Sequence, residues 1–249
     1  MIEVIGLSKS FDDVQVLKDI NVTFNDNEIT CILGESGSGK SVFLQTMAVL
    51  HGPDSGKILI DNQDILRKSE EQLLDLRKKI GYLFQSSALY DFMNIFDNLA
   101  FPLRENTKLS EPEIEKKIKD ILHDVNLSDV EEKFPNELSG GMQKRASLAR
   151  SVILKPQFLL CDEPTSGLDP EHARIIAQLI AKISKFYKST TIITSHDIPN
   201  SLAIADRLIF IFDGQFTEIG SPSNLTKNTD KRINNFLGPY VEVTKCMTD

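Results

Sequence analysis

Eight consecutive residues, Gly34-Glu35-Ser36-Gly37-Ser38-Gly39-Lys40-Ser41, fit G-x-x-x-x-G-K-[ST], the spacing of a loop that cradles the phosphates of a nucleotide. Its glycines let backbone N–H groups approach the anion, Lys40 neutralises charge, and Ser41 offers an oxygen to Mg²⁺. Downstream, Leu138-Ser139-Gly140-Gly141-Met142-Gln143 puts Ser-Gly-Gly at the start of an expected helix. Free N–H groups and the positive end of the helix dipole favour an anion there too. A chain with one phosphate loop and a second phosphate-binding helix start carries two half-sites. Two copies placed head to tail would complete two whole sites, which implies a homodimer. Three further stretches follow the same order along the chain: Gln85, then Phe158-Leu159-Leu160-Cys161 ending on the acidic pair Asp162-Glu163, then Ser195-His196-Asp197.

The elements that must position these groups are legible as apolar runs between turn signals. Ile29–Leu33, Ile80–Phe84, Phe158–Cys161, Thr190–Thr194 and Leu208–Phe212 are short apolar runs, several followed by helical segments. That alternation predicts a largely parallel sheet flanked by helices, with ligands at the carboxyl ends of its strands. Gly34, Asp162 and His196 each fall at such an end and can converge on one nucleotide. Ile2–Ile5, Ile20–Phe24 and Lys57–Asp61 predict an antiparallel β subdomain. Between the core strands, Ile114, Ile118, Ile121, Leu122 and Val125 share one helical face, opened by Ser110-Glu111-Pro112-Glu113 as N-cap, first-turn Pro and capping-box Glu. A second helix should begin near Gly140 with Met142, Ala146, Ala149 and Val152 inward. The expected organisation is one α/β domain over residues 2–237. Its nucleotide-binding core and β subdomain take 2–84 and 158–237, a helical insertion takes 85–157, and 238–249 form a tail.

Composition narrows the function classes. Lys and Arg total 28 against 36 Asp and Glu, a net charge of −8 that argues against nucleic acid as a partner. No stretch reaches the roughly 20 apolar residues that span a bilayer. The start, Met1-Ile2-Glu3-Val4-Ile5, lacks the basic and apolar regions of a signal peptide, so a cytoplasmic location is expected. Cys31, Cys161 and Cys246 show no metal-ligand spacing, and the first two read as small buried hydrophobes. His51, His123 and His172 read as surface or helix-end residues.

The ordered set Gly34–Ser41, Gln85, Leu138–Gln143, Phe158–Glu163 and Ser195–Asp197 resembles the ATPase subunit of an ABC transporter, from about Ile2 to Leu237. The resemblance implies a P-loop NTPase fold, ATP and Mg²⁺ as ligands, and integral membrane permease subunits as partners on the cytoplasmic face of the inner membrane. Asp162 matches the Walker-B Asp that holds Mg²⁺ opposite Ser41, and Glu163 is the candidate general base or water-orienting residue. Gln85 matches the Q-loop Gln, which reaches Mg²⁺ and the attacking water and opens the segment facing the membrane partner. His196 matches the switch His at the γ-phosphate, and Ser166-Gly167-Leu168-Asp169 matches the D-loop that crosses to the opposite subunit. Phe11 stands where an aromatic stacks on adenine, with Val16 beside it. The implied catalytic set is therefore Glu163, His196 and Gln85. The nucleotide set is Phe11, Val16, the loop from Gly34 through Val42, Ser139, Gly140, Gly141, Met142 and Asp169. The metal set is Ser41, Gln85 and Asp162.

One stretch speaks to the cargo. Ser86–Glu105 is rich in aromatics in a chain otherwise poor in them, which suits a hydrophobic groove for a partner helix. Its run from Ala88-Leu89-Tyr90 to Phe101-Pro102-Leu103-Arg104-Glu105 is similar to the ATPases of MCE-type, Mla-like phospholipid transporters, although those usually show Phe where this chain has Tyr90. This resemblance implies phospholipid transport between bacterial membranes and an MCE-type lipid-binding protein among the partners. An importer of small polar solutes such as amino acids would share every ATP-binding motif. A non-transport ABC ATPase is a further alternative.

Overall fold

Buried strands need apolar residues on both faces, and Ile29–Leu33, Phe158–Asp162 and Thr190–Ser195 are buried at every position. The computed structural model describes residues Met1–Tyr240. Its first half runs β1 (Ile2–Phe11), β2 (Val14–Phe24), β3 (Ile29–Leu33), α1 (Lys40–Met47), β4 (Ser55–Ile60), β5 (Gln63–Asp64), α2 (Glu70–Arg77) and β6 (Ile80–Leu83). Three helices follow: α3 (Ile95–Asn106), α4 (Glu111–Asp124) and α5 (Gly140–Val152). The chain then returns through β7 (Phe158–Asp162), α6 (Pro170–Tyr187), β8 (Thr190–Ser195), α7 (Ile198–Ile204), β9 (Arg207–Phe212), β10 (Gln215–Gly220) and α8 (Lys231–Leu237). A short 3₁₀ turn at Gly238–Tyr240 opens the expected tail, and Cys246 with the rest of that tail lies outside the described residues.

The six-stranded sheet has the order β10-β9-β3-β8-β7-β6, parallel except for the antiparallel pair β9–β10. Register decides where the chemistry falls. Leu33 pairs with Ser195, Asp162 with Thr194, and Leu83 with Cys161, so β3, β8, β7 and β6 end together. The residues that follow them, Gly34, His196, Glu163 and Gln85, therefore emerge along one edge. The second sheet, β2-β1-β4-β5, is antiparallel throughout. The two sheets are tied where Lys18 N–H donates to Gly214 O at 2.9 Å. Only glycine fits there, since a Cβ on Gly214 would lie 2.3 Å from Val16 O.

Two apolar layers cover the six-stranded sheet. Along β3, Ile29, Cys31 and Leu33 face a layer built from α3 to α7, while Ile32 faces Phe24, Phe43 and Leu44 on the other side. In α4, Ile114, Ile118, Ile121 and Leu122 are buried on the expected face, and Glu113 accepts the Ser110 N–H at 2.8 Å. α5 begins at Gly140 as its pattern predicts, with Ala146, Ala149 and Val152 buried and Met142 half-buried. The strand expected over Ile2–Ile5 continues to Phe11, because pairing with β2 carries it onward through register shifts. Among the described residues no helix is long and apolar enough to cross a membrane.

Candidate functional site

The loop after β3 turns back on itself at Gly37 and Gly39, whose φ angles of 80° and 102° belong to glycine. This delivers Lys40 and Ser41 as the first turn of α1. Lys40 Nζ donates to Gly34 O at 2.8 Å and to Glu35 O at 2.9 Å, and lies 3.1 Å from Glu163 Oε1. Both charged side chains are nearly buried, at 5% and 8% exposure, so each depends on the other for its counter-charge. Ser41 Oγ donates to Asp162 Oδ1 at 2.8 Å, and Thr194 Oγ1 donates to the same oxygen at 2.7 Å. His196 Nδ1 lies 2.7 Å from Glu163 Oε2. Glu163 itself sits at φ +44°, a left-handed conformation that costs a non-glycine residue roughly 1–2 kcal/mol and concentrates at functional sites. Its N–H is anchored on Thr194 O at 3.0 Å.

Lys40, Ser41, Glu163 and His196 line one cleft of about 490 Å³ with Val16, Ser36, Val42, Gln85 and Ser166, and Asp162 stands behind it, bonded to Ser41. Gln85 Nε2 donates to Ser166 Oγ at 3.2 Å across it. Ser41, Asp162 and Gln85 bring oxygen donors to the same region, a donor set suited to a hard cation such as Mg²⁺. Ser38 Oγ is buried beneath the loop without a hydrogen-bond partner. Lys144, on α5, is 4% exposed, and burial holds its ammonium below the ordinary lysine range, partly offset by Cys161, Asp162 and Glu163.

Not every expected site residue reaches this cleft. Phe11 is 42% exposed and sits edge-on to His51 and near Lys9, outside the lining, while Val16 is part of it. Asp169 spends both oxygens on α6, accepting from the N–H groups of Glu171 and His172 and from the His172 ring. Ser166 is the residue of that segment at the cleft. Ser139 caps α5 through Met142 N–H, and Ser139, Gly140, Gly141 and Met142 lie outside the cleft of their own chain. Glu35 gives its carbonyl to Lys40 and lines a neighbouring cleft with Phe212, Arg232 and Phe236. Thr194 and Lys144 carry contacts that the sequence patterns did not single out, and Ser166, which the D-loop match did name, bonds Gln85 of its own chain. Their roles depend on which strand lies beside which.

The aromatic stretch after Gln85 splits in two. Tyr90, Phe92 and Phe101 are 41%, 75% and 42% exposed and cluster with ring centroids 5.7 and 5.8 Å apart. Tyr90 and Phe101 border a groove of about 260 Å³ that also touches Gly81, Pro102 and Arg150. Phe96 instead packs inward against the core beneath Arg104. It does not share the outward surface expected for it.

A phosphate loop, an acidic strand end and a histidine gathered at the carboxyl edge of a parallel sheet define a P-loop nucleoside triphosphatase site. Comparison narrows the class. Residues 17–166 match the ABC transporter family. "Probable ribonucleotide transport ATP-binding protein mkl" of Mycobacterium tuberculosis (strain ATCC 25618 / H37Rv) is 42% identical over 236 residues, 95% of this chain and 66% of that relative's length. "Intermembrane phospholipid transport system ATP-binding protein MlaF" of Escherichia coli (strain K12) is 38% identical over 222 residues, 89% of this chain and 82% of its own length. The ATP-binding cassette MJ0796, solved as a dimer in a post-hydrolysis state with ADP and Pi, superposes with a TM-score of 0.81 at 29% identity, covering 88% of this chain and 98% of that one. The chain belongs to the ABC transporter family.

Proposed function

We propose that this chain is the ATP-binding and ATP-hydrolysing subunit of an ABC transporter. The observation that carries the reading is the convergence of Lys40, Ser41, Glu163 and His196 in one cleft, with Asp162 bonded to Ser41 behind it. Lys40 and the loop N–H groups bind the phosphates, and Ser41, Asp162 and Gln85 would hold Mg²⁺, which would supply positive charge to offset that of the phosphate oxygens. Glu163, oriented by His196 and by its Thr194-anchored backbone, accepts the proton of the attacking water or positions it. Phe11 takes the adenine face. Ser139 to Met142, outside their own cleft, serve the nucleotide of a second copy, and Asp169 helps shape the crossing segment. Glu163→Gln should keep ATP binding and cut turnover by roughly 10²-fold or more. Lys40→Ala should weaken ATP binding itself. Unchanged turnover in Glu163→Gln would remove the assignment.

The working assembly is a head-to-tail homodimer docked on membrane permease subunits at the cytoplasmic face of the inner membrane, through the surface of Tyr90, Phe92 and Phe101. Phospholipid is the preferred cargo, supported by likeness to MlaF and by this aromatic surface, with an MCE-type lipid-binding protein as accessory partner. Import of a polar solute is the second reading, favoured by the 42% identity to a relative described as a ribonucleotide transport protein. Purification with the native membrane partners and mass spectrometry of what co-purifies separates them. Bound phospholipid supports the first, and a nucleotide- or amino-acid-binding partner without lipid overturns it.

A further inference from the structure

The loop that leaves β6 is gripped along its length by α5. Lys144 Nζ donates to Gln85 O and, at 3.5 Å, to Phe84 O. One turn on, Ser147 Oγ donates to Ser87 O, and one turn further Arg150 Nη2 donates to Ala88 O at 2.7 Å. A spacing of three keeps the three side chains on one helical face. Below them the helix touches the strand directly, since a Cβ on Gly81 would lie 2.2 Å from Ser151 O. The gripped loop is itself strained. Ser87 and Ala88 hold φ of +60° and +50°, two successive non-glycine residues in the left-handed region, which persist only where surroundings over-determine them.

Each end of this contact reaches a working surface. At one end the Gln85 side chain enters the nucleotide cleft and bonds Ser166. At the other, the Arg150 guanidinium stands 5.4 Å from the Tyr90 ring, and buried Asn98 accepts from Tyr90 N–H and donates to Tyr90 O. Lys144 keeps a charged group buried with hydrogen bonds to backbone carbonyls only, Asp162 and Glu163 supporting its charge from a distance, and with no ion pair to it among the described residues. Such an arrangement is costly unless fixing those carbonyls matters.

We propose that Lys144, Ser147 and Arg150 form a positioning ladder that makes α5 and the loop Gln85–Tyr90 one body, with Lys144 setting where the Gln85 side chain stands in the nucleotide cleft. The catalytic consequence rests on the ATPase reading above; the mechanical one does not. A displacement of α5 at its phosphate-binding start then carries both the cleft glutamine and the aromatic surface with it.

The test is a double-mutant cycle on the purified full chain, with hydrogen exchange as a second readout. Lys144→Met keeps the unbranched apolar stem of the side chain and removes the ammonium with its donors. Misplacing a reacting group by about 1 Å costs up to ~10²-fold, so kcat should fall by roughly tenfold or more with KM for ATP within about twofold. In a Gln85→Ala background the same change should cost nothing further, because its effect passes through that side chain. Amides across Gln85–Tyr90 should exchange faster in Lys144→Met and in Ser147→Ala. Lys144→Gln, which retains a donor, should recover part of both losses, and it stands in for Lys144→Met in the cycle if that variant does not fold. Equal fractional losses with and without Gln85, or unchanged kcat and exchange in a folded variant, overturn the ladder. A wild-type chain that hydrolyses no ATP, yet shows the exchange pattern, would overturn the ATPase reading and leave the ladder's mechanics standing.

Discussion

Lys40 makes three contacts, and phosphate must compete with one of them. Its bonds to Gly34 O and Glu35 O shape the loop, whereas its 3.1 Å contact with Glu163 supplies counter-charge in a nearly dry setting. Removing one partner of a buried pair costs about 3–5 kcal/mol when nothing replaces it, an upper bound here because two carbonyls remain. Glu163→Gln should therefore lower the melting temperature of the nucleotide-free protein. A nucleotide phosphate returns the missing charge to Lys40, so ATP should raise the melting temperature of Glu163→Gln by more than it raises that of the wild type. Thermal scans of both proteins with and without ATP measure the difference directly. Equal shifts would mean that Lys40 is not handed from carboxylate to phosphate, and that Glu163 reaches the water without first releasing the lysine.

At the scale of elements, α4 carries the helical insertion on four buried side chains, and Ile118 at its centre is fully buried. Ile118→Ala should destabilise the chain by about 2–5 kcal/mol, the cost of a cavity in a packed core, seen as a lower urea midpoint. A loss below about 1 kcal/mol would mean the helix collapses onto its neighbours α3 and α5 more freely than their packing suggests. The same helix shows what a sequence discloses. Its period, N-cap and first-turn Pro are all local, and so are the runs Ile29–Leu33 and Thr190–Thr194 that become β3 and β8. Other elements lack a local signal. β10 is half exposed and holds only Phe216 and Ile219 as large apolar residues. α3 contains Pro102, and of its two aromatic residues Phe101 borders the groove while Phe96 is turned into the core. The site divides along the same line. Lys40, Ser41 and Asp162 announce themselves by motif, but Thr194 on Asp162 and Lys144 on Gln85 follow from strand order and helix docking, which no short stretch encodes.

The whole molecule leaves two surfaces whose chemistry points outward, the start of α5 and the aromatic cluster after Gln85. If the first completes the nucleotide site of a second copy, Ser139→Arg should abolish ATP hydrolysis while leaving nucleotide affinity of the single chain nearly intact, since only an exposed cap is altered. Glu163→Gln should in turn accumulate an ATP-dependent dimer by light scattering. A monomer at high protein concentration with ATP and Mg²⁺, both alone and with the permease, would exclude the head-to-tail arrangement. The second surface can be tested without disturbing the core, because Phe92 is 75% exposed and substitutions at such positions usually change stability by about 0.5 kcal/mol or less. Phe92→Asp would place an unpaired charge in an apolar contact, at about 1–3 kcal/mol or more, which is roughly 5- to 150-fold or more in the affinity for the membrane subunits. The expected variant melts like the wild type and binds ATP, but fails to co-purify with the permease and does not support transport. Phe96→Asp should instead unfold the helical insertion, because that ring packs on the core. Normal assembly and transport in a folded Phe92→Asp protein would place the docking surface elsewhere, and would take away the aromatic support for a lipid cargo.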